Sequence, residues 1–208
     1  MAPTYFCRFP GSHSDGHRGS ALSPMSDLTD SEPTKADLRA AALAKRDALP
    51  AAERQAAAET IAARGLPVEV TQGAIVSGFM PMKTEINPLP LLRKLAAAGA
   101  QLALPAIAGR GKPLIMRAWQ VGGPLKAGQW GIREPMADAA KVAPDILIVP
   151  LACFDRAGHR IGYGAGYYDM TINALRAKKK VVAVVIAFAA QEIPRVPATE
   201  RDARLDLV

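Results

Sequence analysis

The sequence predicts an α/β domain with a mainly parallel sheet covered by helices on both faces. Three observations carry that expectation. Short apolar runs alternate with helical segments between residues 74 and 188, and such alternation builds parallel sheets. The longest apolar run, residues 181–190, is ten residues long, which suits a strand buried on both faces. Proline or glycine closes several of the segments, at Pro50, Gly65, Gly99 and Pro105.

The elements follow in order. Thr34 has the side chain of an N-cap, with Asp37 in the first turn, where a carboxylate meets the positive end of the helix dipole. The Ala-rich segment 35–49 reads as a helix that Pro50 interrupts. A second helix spans 51–64 and stops at Gly65. Lys35, Arg39 and Arg46 fall on one face of the first helix at about 100° per residue, and that spacing alone reads as a solvated basic stripe. Residues 74–80 read as a strand, 89–98 as a helix, 101–104 as a strand stopped by Pro105, and 114–119 as a further strand. Residues 145–150 form an apolar strand, 167–176 a helix and 181–188 a β-branched strand. Ligands in such sheets sit beyond the carboxyl ends of the strands, so the segments after Met80, Pro150 and Phe188 are the places for a site.

Composition narrows the function classes. The 208 residues are 50% apolar and 22% charged, which excludes wholesale disorder. Residues 1–33, rich in Gly, Ser, Pro, Asp and His, read as a disordered tail in which Met25 is a second candidate start. Residues 34–208 form the domain. Cys7 and Cys153 are too few for a disulfide scaffold or a cysteine zinc site. No apolar stretch nears the roughly 20 residues of a membrane span, and no signal-peptide pattern opens the chain, so a cytoplasmic protein is expected. Residues 1–34 set Arg8 and Arg18 against Asp15, Asp27, Asp30 and Glu32, a net of −2; the whole chain carries +7, leaving +9 on the remainder. A basic domain attracts anions. Aromatic residues are only 5% and cluster in one glycine-rich loop, which argues against a nucleic-acid-binding surface of interleaved aromatic and basic residues.

One segment carries the chemistry. Residues 154–169 follow a strand and open a helix, and in them Gly162, Gly164 and Gly166 alternate. Backbone N–H groups of such a loop, with the N-terminal dipole of the next helix, can cradle phosphates. Arg160 adds a charged donor, and Asp169 a carboxylate suited to Mg²⁺. The GxGxG spacing matches neither a P-loop nor GxGxxG.

The run Arg160-Ile161-Gly162-Tyr163-Gly164-Ala165-Gly166-Tyr167-Tyr168-Asp169, preceded by Phe154-Asp155 and Gly158, resembles the signature of the 5-formyltetrahydrofolate cyclo-ligase family. Lys35-x-x-x-Arg39 resembles its N-terminal nucleotide-contacting pair, and Glu85 its folate-contacting glutamate. Gly131-Ile132-Arg133-Glu134-Pro135 matches its GIxEP element, and Gln191, Pro194 and Asp202 resemble its C-terminal element. The likeness spans about residues 35–207. Ala165, Met170 and Arg201 depart from residues common in the family, and the end at Val208 falls slightly short of its usual last strand.

The resemblance implies a single three-layer α/β/α domain with an open, mixed sheet of the NagB/RpiA/CoA transferase-like kind. It implies ATP-dependent cyclisation of 5-formyltetrahydrofolate to 5,10-methenyltetrahydrofolate by a monomer acting on small molecules. Arg160 and Tyr167 are its expected catalytic residues. Lys35, Arg39, Arg160, Ile161, Gly162, Tyr163, Gly164, Ala165, Gly166, Tyr167 and Tyr168 are expected on ATP. Met80, Glu85 and Tyr167 are expected on folate, and Asp169 and Asp202 on Mg²⁺. Replacing Arg160 by Ala is expected to cut turnover far more than folding. Trp119 and Trp130 read as core or loop packing, Cys153 as a small buried residue, residues 178–180 as a solvated turn, and Asp155 with Gly158 as a turn before the cradle. Two rivals are a phosphoryl-transfer enzyme for another acid on the same scaffold and a non-enzymatic nucleotide or RNA binder.

Overall fold

A computed structural model describes residues 32–208 of the chain. The tail expected over residues 1–33 lies almost wholly outside them. The elements run α1 (Lys35–Asp47), α2 (Ala51–Arg64), β1 (Ile75–Ser77), α3 (Leu89–Ala97), β2 (Gln101–Ala106), β3 (Ile115–Ala118), β4 (Leu125–Ala127), β5 (Arg133–Pro135), β6 (Ile146–Val149), β7 (Cys153–Phe154), β8 (Arg160–Ile161), α4 (Tyr167–Arg176) and β9 (Val182–Val185). The central sheet has the order β3-β2-β1-β6-β9. β1, β2, β6 and β9 are parallel, and β3 pairs antiparallel with β2. The fold is therefore α/β with a mainly parallel, mixed sheet.

The period of two sorts the strand residues between the two faces. Val76, Leu102, Leu104, Ile146, Ile148 and Val184 pack with Ala58 of α2 and Leu91, Leu92 and Leu95 of α3. Ala103, Leu147, Val149, Ala183 and Val185 pack with Ile172 of α4 on the other face. All four residues of β6 are buried, as a central parallel strand requires. Helix α1 sits apart, with Ala42 and Leu38 on Cys153, Ile161 and Val196. Burial pushes the Cys153 thiol up to about 11, in keeping with its reading as an inert core residue.

Local signals set the helix ends. Thr34 and Asp37 form a capping box, and Gly65 ends α2 at φ 79°. Pro105 does not stop β2 as expected; the strand runs to Ala106. Gln101 donates its N–H toward β1, and residues two apart along a strand point the same way. Pro105 therefore turns its nitrogen past the end of β1, whose pairing stops at Ser77↔Ala103, and no ladder bond is lost. Two short ribbons, β4–β5 and β7–β8, were not foreseen, because strands of two or three residues are too short to show a period. At the chain end Leu207 bridges Val184 in parallel, so the last residues line the β9 edge.

Candidate active site

The chain runs from β1 outward to β2 and β3, then returns to place β6 and β9 on the other side of β1. The order reverses between β1 and β6, where doubly wound sheets open a crevice at the carboxyl ends of their strands. A cavity of about 330 Å³ lies there. Phe79 and Met80 follow β1, Pro150 follows β6, and both segments line it. All expected site residues line the same cavity: residues 160–169, Lys35, Arg39, Met80, Glu85 and Asp202.

The β7–β8 ribbon carries the glycine loop. Its turn is tied by Asp155, 2% exposed, whose Oδ1 accepts the N–H groups of Ala157 and His159 at 2.9 and 3.0 Å. Its Oδ2 accepts the N–H of Val196 at 2.9 Å. The expected turn at Asp155 and Gly158 is thus present, and it sets the pairing Phe154↔Arg160. Beyond Ile161 the loop turns at Gly164 with φ 97°, and Gly166 at φ 67° caps α4 without a side-chain hydrogen bond. The first N–H groups of α4 are left for another acceptor. Gly162 has open space where a Cβ would stand and no positive φ, so nothing in the fold around it demands glycine. Close approach of a ligand to the main chain is the remaining use for its bareness.

The basic stripe of α1 is not solvated; it is turned onto this loop. Lys35 Nζ donates to Asp202 Oδ2 at 2.6 Å, and Arg39 Nε to the Gly162 carbonyl at 2.7 Å. Arg46 is 2% exposed and donates to the Tyr163 hydroxyl at 2.8 Å. Arg160, also buried, donates through Nη1 to Asp169 Oδ1 at 3.0 Å, and that oxygen also accepts the N–H of Ala203. Arg160 Nε and the Tyr168 hydroxyl are buried without a protein partner among the described residues. Burial raises the Tyr168 hydroxyl, with the Glu85 charge adding to it and Arg160 opposing.

Glu85 lines the cavity beside Tyr163. Its Oε1 accepts from the Tyr163 hydroxyl at 2.5 Å and its Oε2 from the Met82 N–H at 2.7 Å. Burial raises its carboxyl above the ordinary value, and the hydrogen bonds from Tyr163 and Met82 and the charge of Arg46 offset part of that. Burial also works against the Asp202 carboxylate, but Lys35 and Thr199 outweigh it and hold that carboxyl below its usual range.

Magnesium takes oxygen ligands and is commonly held by one or two carboxylates, with water and phosphate oxygens completing the shell. Asp169 receives its protein hydrogen bonds on Oδ1 and Asp202 on Oδ2, so each of these two cavity-lining residues has its other oxygen left as a hard donor. That donor set fits the ion as a partner of bound phosphates. No cluster of three His, Cys, Asp or Glu residues among those described offers an all-protein cage.

The model of the 5-formyltetrahydrofolate cyclo-ligase family matches residues 31–208. The chain belongs to this family. The 5-formyltetrahydrofolate cyclo-ligase of Mycolicibacterium smegmatis is 34% identical over 163 residues, covering 73% of this chain and 81% of that protein. The enzyme of that name from Haemophilus influenzae is 29% identical over 143 residues, covering 66% and 76%. The NMR structure of 5,10-methenyltetrahydrofolate synthetase from Aquifex aeolicus superposes with a TM-score of 0.68 at 28% identity, covering 83% of this chain and 88% of that one. The cyclo-ligase family is one of ligases, so the chain is placed among enzymes.

Three residues of this cyclo-ligase site were not foreseen. Trp119 is core, but Trp130 is 66% exposed, lines the cavity and stands 6.2 Å from the Tyr167 ring, tilted by 48°. Its φ of 57° on the β4–β5 connection gives no signal in the sequence. Glu134, 5% exposed, is a second buried carboxylate on the cavity wall and accepts the Ile107 N–H at 3.1 Å. The GIxEP motif marked that residue without assigning it a place. Arg46 is the third.

Proposed function

We propose that this cyclo-ligase family member converts 5-formyltetrahydrofolate and ATP to 5,10-methenyltetrahydrofolate, ADP and phosphate. The observation that supports the reading is a convergence. A glycine loop with uncapped helix N–H groups and a buried carboxylate, carried on different strands, line one cavity at the sheet's switch point. A phosphate cradle facing a donor-seeking carboxylate suits a triphosphate beside an aminopyrimidine.

The formyl oxygen attacks the γ-phosphorus, and the bond to the β–γ bridging oxygen breaks as ADP leaves. N10 adds to the activated formyl carbon and loses its proton. Phosphate departs with the electrons of its C–O bond. Phosphoryl transfer needs positioning and charge neutralisation more than a covalent nucleophile. The backbone of residues 162–166 and the start of α4 hold the phosphates. Arg39 braces the loop through the Gly162 carbonyl, and Lys35 faces the nucleotide beside Asp202. Arg160 stabilises the charge on the phosphoryl in flight, and Tyr167 reaches its oxygens or the formyl oxygen. Met80 and Glu85 take the pterin, with Trp130 at the cavity's rim. Asp169 and Asp202 would hold Mg²⁺, which supplies charge neutralisation on the triphosphate when bound.

The test follows methenyltetrahydrofolate in the near ultraviolet with purified protein, 5-formyltetrahydrofolate and ATP. Product that requires both ATP and Mg²⁺ is expected. Folded protein that binds ATP and makes no product would overturn the folate reading and favour another acid as acceptor. No helix among the described residues is long and apolar enough to cross a membrane; action as a cytoplasmic monomer is part of the same proposal.

A further inference from the structure

One wall of the cavity holds a chain of hydrogen bonds of which the chemistry above uses only the end, Glu85. It begins at Arg46, in the last turn of α1 and 2% exposed. Arg46 Nη1 donates to the Tyr163 oxygen at 2.8 Å, and its Nε donates to Thr84 Oγ1 at 3.0 Å. Thr84 donates onward to Asp47. Tyr163 donates to Glu85 Oε1 at 2.5 Å, and the Met82 N–H donates to Oε2 at 2.7 Å.

With Glu85 ionised, the direction of each proton in this chain follows. A guanidinium has donors only. Because the Tyr163 oxygen receives a hydrogen from Arg46, the tyrosine's single hydrogen is sent to Glu85. Glu85 therefore accepts at both oxygens. An ionised carboxylate has about four acceptor positions, and Tyr163 and Met82 take one on each oxygen. One position remains on each oxygen of a carboxylate held at both ends. Two parallel acceptors match two parallel N–H donors, as in a bidentate pair. A protonated Glu85 would have a hydrogen of its own where a substrate donor must approach.

We propose that Arg46 is a positioning residue for the substrate, acting through Tyr163 to hold Glu85 as a two-point acceptor for the aminopyrimidine edge of the folate. This rests on the reading of Glu85 as a folate contact. The charged and titratable groups around Glu85 are Arg46 with Asp47 from α1, Tyr163 from the glycine loop and Tyr168 from α4, with Lys83 on its own loop acting on Asp47. Tyr163 and Arg46 both oppose the rise that burial imposes on the Glu85 carboxyl, so removing either moves it further up.

The experiment measures kcat, both KM values and the pH profile for Tyr163→Phe, Arg46→Gln, the double variant and Glu85→Gln. Each of the first two is expected to raise KM for 5-formyltetrahydrofolate about tenfold, the scale of one hydrogen bond to a charged group. KM for ATP moves less, since phenylalanine keeps the loop backbone. The acid limb of kcat/KM for the folate shifts to higher pH. The double variant is no worse than the worse single one, because the same chain is broken twice. Multiplying effects in the double variant would show that Arg46 does not act through Tyr163. An unchanged folate KM in both single variants, with Glu85→Gln raising it, would overturn the proposal and leave the folate contact standing. An unchanged KM in Glu85→Gln would remove the contact and the proposal with it. Should Arg46→Gln fail to fold, Tyr163→Phe decides by KM and pH profile, since Tyr163 as a residue is 42% exposed and its ring is kept.

Discussion

Replacing Asp155 is the sharpest test of how the glycine loop is held. The carboxylate is 2% exposed and accepts three backbone N–H groups, from Ala157, His159 and Val196. In Asp155→Ala all three lose their acceptor. Ala157 is exposed and recovers water, while His159 is half-buried and Val196 is 2% exposed. A buried polar group left unpaired costs about 1–3 kcal/mol, so about 3 kcal/mol of stability is lost. For a domain of this size, at roughly 2–4 °C per kcal/mol, the melting temperature falls by about 6–12 °C. Asp155→Asn keeps one carbonyl oxygen for Ala157 and His159 but turns an NH₂ group on the Val196 N–H. It should fall between the two. Calorimetry on the three proteins is the assay, with urea midpoints as a second readout. Because the Asp155 turn sets the Phe154↔Arg160 pairing, turnover should drop in the same order. An Asp155→Ala protein that melts within about 2 °C of the parent would refute the argument. Equal melting of the Asn and Ala variants would refute its directional part.

Arg160→Ala should lower kcat by about 10²–10³, the scale of losing one charged donor to developing charge. It should also lower stability measurably, though far less than turnover, because Asp169 loses its 3.0 Å partner; Arg160→Lys should restore part of both, and near-normal turnover in the alanine variant would remove Arg160 from the mechanism. Gly164→Ala places a side chain at φ 97° with its Cβ 3.5 Å from Arg39 Nη2, which costs about 1–3 kcal/mol of backbone strain. It should raise KM for ATP more than KM for the folate, and the reverse order would count against the phosphate cradle. The Asp202 carboxyl is held below its unfolded value, so its contribution to stability is present above about pH 4 and is lost as pH falls through the folded value. Denaturation midpoints of Asp202→Asn should show a flatter acid slope than the parent, and identical slopes would contradict the Lys35 pairing.

What was legible in the sequence was local. The N-cap at Thr34 with Asp37 in the first turn, the stop at Gly65 and the span of α4 depend on residues within a turn or two of each other. The alternation of apolar runs sufficed for the sheet and its covering helices, and the glycine run after β6 marked the cavity's main wall. What the tertiary structure alone decided is which distant groups meet. Lys35 and Asp202 are 167 residues apart, Arg46 and Tyr163 are 117 apart, and Tyr163 and Glu85 are 78 apart. A basic stripe on α1 looks the same in sequence whether it faces water or a loop. Pro105 reads as a strand breaker until β1 is seen to end beside it, and Trp130 reads as packing until the β4–β5 turn carries it outward. Caps, turns and periods are encoded by short-range sterics and hydrogen bonds, whereas the partner of a charge is set by how the layers stack. In this protein the sequence determined the helices, the main strands and the glycine loop, and the packing of α1 across that loop decided which side chains meet at the cavity.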